Sequence, residues 1–224
     1  VRARAFLDPA RSRPNLTVMT DTQVERIVLA QVDGRPQAVG VEVYSDAQAS
    51  RVIKATREVI LAAGAIGSPQ LLQVSGVGEA GRLRELGIEV HHDLPGVGEN
   101  LHDHLQIRTI YKVTNTVTLN RRANSLLGKV SMALEYALLK TGPLTMPPSQ
   151  LGAFARSDPS QKAANIEWHV QPLSLDKFGD PLHPYDAITP SVCNLQPDSR
   201  GHVRVRTAKA TDAPAITLNY LSSE

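Results

Sequence analysis

The stretch Arg57-Glu58-Val59-Ile60-Leu61-Ala62-Ala63-Gly64-Ala65-Ile66-Gly67-Ser68-Pro69-Gln70-Leu71-Leu72-Gln73-Val74-Ser75-Gly76-Val77-Gly78 decides the fold. Its apolar run 59–61, boxed by charged residues and then by Ala62-Ala63-Gly64, predicts a fully buried strand of an α/β sheet. The small residues that follow let the chain turn tightly and let another group approach closely. Ser68-Pro69 predicts a helix start, with serine as cap and proline at the first helical position. Gly76 stands where a helix-terminating glycine belongs. Strand, small-residue turn and capped helix together make a crossover of the nucleotide-binding kind.

The pattern Gly64-Ala65-x-x-Ser68-Pro69-x-Leu71-Leu72-x-x-Ser75-Gly76-Val77-Gly78 resembles the second signature of the GMC (glucose–methanol–choline) oxidoreductases at every specified position. An ordinary strand–helix unit accounts for the glycines and the cap, but not for Ser75-Gly76-Val77-Gly78 at that offset. The resemblance implies an FAD-dependent flavoprotein of the choline-dehydrogenase-like branch that oxidises a primary alcohol to an aldehyde. It also implies that a base takes the alcohol proton while hydride passes from carbon to flavin N5.

Composition sets outer limits. Hydrophobic residues make up 42% of the 224, enough for a real core. The 24 basic and 22 acidic residues are spread along the chain, for a net charge of +2, and no basic stripe with interleaved aromatics suggests nucleic acid. Cys193, as the single cysteine, excludes an internal disulfide. The amphipathic segment 126–139 is interrupted by Lys129 and Glu135, which argues against a transmembrane segment. No targeting signal is readable, so the expected location is cytoplasmic or peripheral to a membrane. The chain starts at Val1 and both ends fall in mid-pattern, which suggests a piece of a longer protein.

Residues 1–7 read as the end of a helix broken by Asp8-Pro9. Strands are expected at 15–20, 24–32, 39–44 and 51–55, with Asp33-Gly34 as a hairpin turn. The last three of these form a β-meander inserted before the buried strand 59–61. Asn15-Leu16-Thr17-Val18-Met19-Thr20-x-x-x-Val24 is similar to the family segment whose last valine meets the adenine of FAD through its backbone. The resemblance thus implies Val24, Ala63 and Gly64 as cofactor-binding positions on the adenosine side.

Gly76-Val77-Gly78-Glu79-Ala80-Gly81 spells G-x-G-x-x-G, yet a helix rather than a strand is expected before it, so it is rejected as a phosphate loop. The family's own pyrophosphate loop is expected upstream of Val1. A short helix at 83–86 and a strand at 88–94 follow. His91, His92, His102 and His104, with Asp93 and Asp103, invite a metal reading, but their spacings do not converge on one ion, and no metal is expected.

Pro95-Gly96-Val97-Gly98-Glu99-Asn100-Leu101-x-Asp103-His104 is similar to the family segment that leaves the FAD domain for the substrate domain. Residues 1–104 are therefore expected to belong to an FAD/NAD(P)-binding, Rossmann-like α/β domain, and 105–224 to an antiparallel α+β substrate domain with one long helix. Strands are expected at 106–113, 166–171, 187–195 and 202–207, with Arg200-Gly201 joining the last two. The helix spans 126–140, its stripe Leu127, Val130, Leu134 and Leu138, and Thr141-Gly142-Pro143 stops it. His104 and Gln106 are candidate substrate-pocket residues. Choline-oxidising members place a glutamate where Gln106 stands, which points to a neutral alcohol rather than choline. The catalytic histidine segment is expected beyond Glu224, so no catalytic residue is named, and the electron acceptor is left open. Two other readings stand beside this one: a non-catalytic binding module built from the same fold piece, and an NAD-linked enzyme. The second is disfavoured because no fingerprint follows an expected strand.

Overall fold

A computed structural model describes residues 3–45, 48–147 and 149–223; Pro148, whose prolyl pair with Pro147 reads as loop punctuation, lies outside them, as do Val1 and Arg2. In chain order the elements are a π-helical segment Ala3–Leu7 and α1 (Asp8–Ala10), then β1 (Gln23–Val32), β2 (Arg35–Ser45), β3 (Gln48–Lys54) and α2 (Gly64–Val74). β4 (Val77–Gly78), α3 (Ala80–Glu85), β5 (His92–Asp93), β6 (Glu99–Leu101), β7 (Gln106–Arg108) and β8 (Tyr111–Lys112) follow. The remainder comprises α4 (Leu119–Asn124), α5 (Leu126–Leu139), a 3-10 turn Pro143–Thr145, β9 (Leu151–Ala155), β10 (Ile166–Gln171), β11 (Ala187–Asn194), β12 (Gly201–Arg204) and β13 (Ala215–Thr217). The chain forms two compact units, Val1–Leu101 with Ser199–Ser222, and His102–Asp198. Both mix helices and sheets.

The first unit holds the β-meander, β1–β2–β3, all antiparallel. Val32 pairs with Arg35, so Asp33-Gly34 is a two-residue turn, and φ of +51° and +74° gives both central residues the left-handed backbone such a hairpin requires. Helix α2 packs its C-terminal half into a small core of Val74, Leu83, Ile88 and Val205, flanked by Leu71, Leu86 and Val90. Ser75 closes the helix, and its Oγ accepts from the Ile27 amide at 2.8 Å, tying β1 to the helix end. Gly76 follows at φ +82°, where a side chain would meet the Glu89 carbonyl and the His91 ring, so only glycine fits.

Gln73 joins this core to the returning strand. Its side chain is 3% exposed. Nε2 donates to the Val203 carbonyl at 3.0 Å and to Pro69 at 3.1 Å, while Oε1 accepts from the Val205 amide at 3.2 Å. The carboxamide thus serves β12 as an edge strand would. The Val203 amide donates in turn to the Gly98 carbonyl at 2.6 Å. β12 lies between β13 and β6 in a three-stranded sheet.

Several expectations change. The run 59–61 is not a strand: no described residue pairs with it, and Ile60 is 81% exposed, because a buried parallel strand needs neighbours on both edges. Parallel pairing among the described residues is confined to β4 with β5. Helix α2 starts five residues early, with Ala63 at its cap, so Pro69 is the sixth residue of the helix, where its missing amide leaves the Ala65 carbonyl without the usual intrahelical donor. Segment 15–20 is irregular, and Asp8-Pro9 continues the helical run as α1 rather than ending it. Of 88–94 only His92-Asp93 is strand, and 106–113 is interrupted at Thr109-Ile110. Gly201 opens β12 in a different sheet from β11, so Arg200-Gly201 does not join the two as a hairpin.

The second unit is built on the antiparallel order β7–β11–β10–β9, with β8 also paired to β11. Helix α4, which periodicity did not suggest, is held by polar side chains. The Asp186 carboxylate accepts from the Thr118 amide at 2.8 Å and hydroxyl at 3.0 Å and pairs with Arg121 at 2.7 Å. The Thr118 amide chiefly holds the Asp186 carboxyl below the usual carboxylate range, against the effect of burial and with help from the Thr118 hydroxyl and Arg121. Asn120, fully buried, donates to Ser174 Oγ at 2.7 Å and accepts from the Ser174 amide at 2.7 Å. Helix α5 is capped by Ser125 and ended by Lys140 at φ +54°. Its expected core stripe faces outward instead: Leu127 is 82% and Leu138 77% exposed, and the buried residue is Met132.

Replacing Gln73 by leucine keeps the volume but orphans the Val203 carbonyl and the Val205 amide. Each buried unsatisfied group costs about 1–3 kcal/mol, so urea unfolding of Gln73→Leu is expected to show a clearly lower midpoint at unchanged slope. A midpoint within error of the parent chain refutes the bracing role.

Candidate functional site: a two-faced sheet and a small-residue turn

Register places the chemistry of the second unit. Gln106 pairs with Cys193, Cys193 with Glu167, and Glu167 with Phe154. Residues directly opposite in antiparallel strands project from the same face. The next row on that face is Arg108, Ser191, His169 and Gly152, followed by Thr189 and Gln171. The opposite face carries Ile107, Val192, Trp168 and Ala153. One side of the sheet is therefore polar and the other apolar, and Gln106 lies on the polar side while Trp168 does not.

His104 reaches the same corner from the loop before β7, its Nε2 3.0 Å from the Leu195 carbonyl. Glu167 Oε1 lies 3.2 Å from His169 Nε2, and the Cys193 thiol donates to Glu167 Oε2 at 3.8 Å. Burial pushes the Cys193 thiol up, and the neighbouring carboxylate adds to the rise by opposing a second negative charge and holding the proton. Arg108 stacks 4.6 Å over the Phe178 ring, with Nε and Nη2 buried and unpaired among the described residues. Gln171 Oε1 is likewise buried without a described partner. The two substrate-pocket candidates, His104 and Gln106, thus border one polar face. Glu167 and Cys193 complete it, and only strand register reveals them; the signal in the sequence is the polar/apolar alternation of Ile166-Glu167-Trp168-His169-Val170-Gln171.

The cofactor candidates lie in the first unit. Gly64 opens α2 at φ +81°, with nothing within 4 Å of where a side chain would stand, and no side chain caps the helix at Ala63. Val24 lies on β1 opposite Val43, next to a bulge, and its carbonyl accepts from the Gln23 side chain at 2.8 Å. The Ile27–Ser75 bond that ties β1 to α2 is at the other end of the helix from Gly64, about 16 Å along its axis. A cleft of about 440 Å³ beside Ile27, Ser75, Ile88 and His91 includes none of the three candidates.

The G-x-G-x-x-G text makes no phosphate loop, as expected: helix α2 runs up to its cap Ser75, directly before Gly76, and the two-residue strand β4 lies inside the motif. In addition, the Glu79 carboxylate accepts from the Gly81 and Arg82 amides at 2.9 and 2.8 Å and Asp93 takes the Ala80 amide at 3.0 Å. The chain's own acids occupy the donors an anion would need. These amide bonds, Arg82 first, hold the Glu79 carboxyl below its ordinary range.

Known proteins share this architecture. Formate oxidase superposes with a TM-score of 0.83 at 22% identity, over 95% of this chain and 41% of that one, a likeness of fold. Pyridoxine 4-oxidase from Mesorbium loti gives 0.74 at 26% identity, over 99% of this chain and 38% of that one. The oxygen-dependent choline dehydrogenase of Pectobacterium atrosepticum is 39% identical over 222 residues, 99% of this chain and 39% of that protein. That of Acinetobacter baumannii (strain AYE) is 36% identical, covering 99% and 40%. The GMC oxidoreductase family model matches residues 2–106. The chain belongs to the GMC oxidoreductase family, and it spans about two-fifths of the length of these choline dehydrogenases. Among the described residues no helix is long and apolar enough to cross a membrane.

Alkylation of Cys193 in the folded chain is expected to run at least about tenfold slower than in denatured chain at neutral pH, since both burial and the raised thiol range suppress thiolate. Glu167→Gln, which removes the opposing charge, is expected to speed it. Equal rates for folded and denatured chain contradict the buried, carboxylate-bonded thiol.

Proposed function

We propose that this chain is part of an FAD-dependent oxidoreductase acting on the CH–OH group of a primary alcohol. In this reading the first unit, 1–101 with the returning 199–222, belongs to the cofactor domain, and the second, 102–198, to the substrate domain. Flavin, when bound, supplies the acceptor for a hydride leaving the alcohol carbon. The observation that carries the reading is Gly64: a left-handed turn with open space where a side chain would stand, at an uncapped helix start, suits close approach of a nucleotide. The Val24 backbone and the Ala63-Gly64 turn are the residues assigned to hold its adenosine side.

The polar sheet face is assigned to the alcohol, with His104 and Gln106 at its border. Three features favour a neutral alcohol over a quaternary ammonium one. Gln106 offers a dipole where a carboxylate would attract a cation. Arg108, two residues on and on the same face, carries like charge. Trp168, the sole tryptophan, belongs to the opposite face and cannot give a cation–π contact there. Glu167 is the carboxylate of these rows, and His169 and Cys193 already engage it.

Two measurements test this on the whole protein that carries the chain. Gly64→Val is expected to lower flavin bound per chain by about tenfold or more, and Gly64→Asn, which tolerates the left-handed backbone, separates crowding from misfolding. Full flavin content in both removes Gly64 from the cofactor site. For the substrate, kcat/KM with an artificial acceptor is expected to favour a neutral primary alcohol over choline, and Gln106→Glu to move the ratio toward choline. A clear wild-type preference for choline rejects the neutral-alcohol reading.

A further inference from the structure

We infer that His104, Cys193 and Glu167 form a divalent-metal site of the zinc class on the polar face of the second unit's sheet. Among the described residues this is the one grouping of three or more histidine, cysteine and carboxylate donors whose ligand atoms are close enough to share an ion, all lying within 4.8 Å of one another. The three come from different segments, the loop before β7, β11 and β10; strand pairing sets the separation of Cys193 and Glu167, and the Leu195 carbonyl holds the His104 ring beside them. Zinc bonds of about 2.0–2.3 Å in a tetrahedron put ligand atoms roughly 3.3–3.8 Å apart. The Cys193–Glu167 pair, at 3.8 Å, already has that spacing, and His104, an exposed side chain on a loop, makes the remaining approach.

The thiol proton lies between Sγ and Glu167 Oε2, where a cation would replace it. Binding is then an exchange: the metal enters, one S–H bond breaks, a metal–sulfur bond forms and one proton leaves to solvent, with no change of oxidation state. Supporting groups are present. His169 Nε2 occupies the other carboxylate oxygen at 3.2 Å, leaving Oε2 for the ion. The Leu195 carbonyl holds a proton on His104 Nε2 and so leaves the Nδ1 lone pair free to bind metal. Thiolate, imidazole and carboxylate together suit zinc, and cobalt as its spectroscopic substitute, rather than magnesium or calcium. Sequence spacing leads to the expectation of no metal; of the histidines considered there, His104 alone belongs to this grouping.

The inference is independent of any flavin, and the 224-residue chain itself serves for the test. Metal-free chain titrated with Co²⁺ is expected to bind one ion, with a thiolate-to-cobalt absorption that zinc abolishes. That band reports one position because Cys193 is the only cysteine. Zinc is expected to release about one proton from the thiol per ion bound and to protect Cys193 from alkylation. His104→Asn alters an exposed side chain and leaves the fold intact; it and Cys193→Ser should each weaken binding about a hundredfold or more, and His169→Gln by about 10–100-fold with the band retained. Absence of saturable binding at micromolar zinc, or binding unchanged in both His104→Asn and Cys193→Ser, overturns the assignment.

Discussion

The first unit depends on one buried carboxamide. Gln73 satisfies the Val203 carbonyl and the Val205 amide at once, a pairing normally made by a neighbouring strand. An amide is the one side-chain group with a donor and an acceptor at the right separation for this. Because β12 arrives from a point in the chain far beyond α2, the contact closes a long loop, and its entropic cost must be offset by the core it completes. Gly98, against the Val203 carbonyl and the Gln73 side-chain nitrogen, has no room for a side chain, so helix, returning strand and turn fix one another.

The second unit solves a different problem. Its sheet is apolar on one face and polar on the other, and its connecting segments are held by hydrogen bonds more than by hydrophobic contact. Asp186 and Asn120 brace α4 against residues more than fifty positions away. Such buried groups are costly unless paired, and here both are. The buried atoms without partners among the described residues, on Arg108 and Gln171, stand instead on the polar sheet face, where incomplete pairing marks a surface suited to a ligand.

What was legible in the sequence follows from how local each signal is. Asp33-Gly34 states a hairpin without help from elsewhere, and the Ser75-Gly76 helix end is a local geometry too. The alternation in β10 likewise shows directly which residues share a face. Segment 59–61 was misread because an apolar run reports burial only when partners exist to bury it. The α5 stripe failed for the same reason: periodicity identifies a face, not what covers it. Gln73 occupies a position the family pattern leaves open, and nothing around it announces a contact with residue 203. Cys193 and Glu167 are separated by 26 positions and meet only through register. His104 and Gln106 were found from resemblance, and their common border with that pair emerged from strand pairing.

The two-faced sheet also governs which genetic changes this region tolerates. Loss or gain of one codon within β10 would carry Trp168 into the row of Cys193 and turn Glu167 toward Val192 and Ile107, exchanging every environment along the strand. Loss of two would shift the pairing but keep each remaining side chain on its own side. Length variation in β10 across descendants of this chain should therefore come in pairs of residues, whereas the loop 156–165, whose side chains share no such parity, can change by single steps.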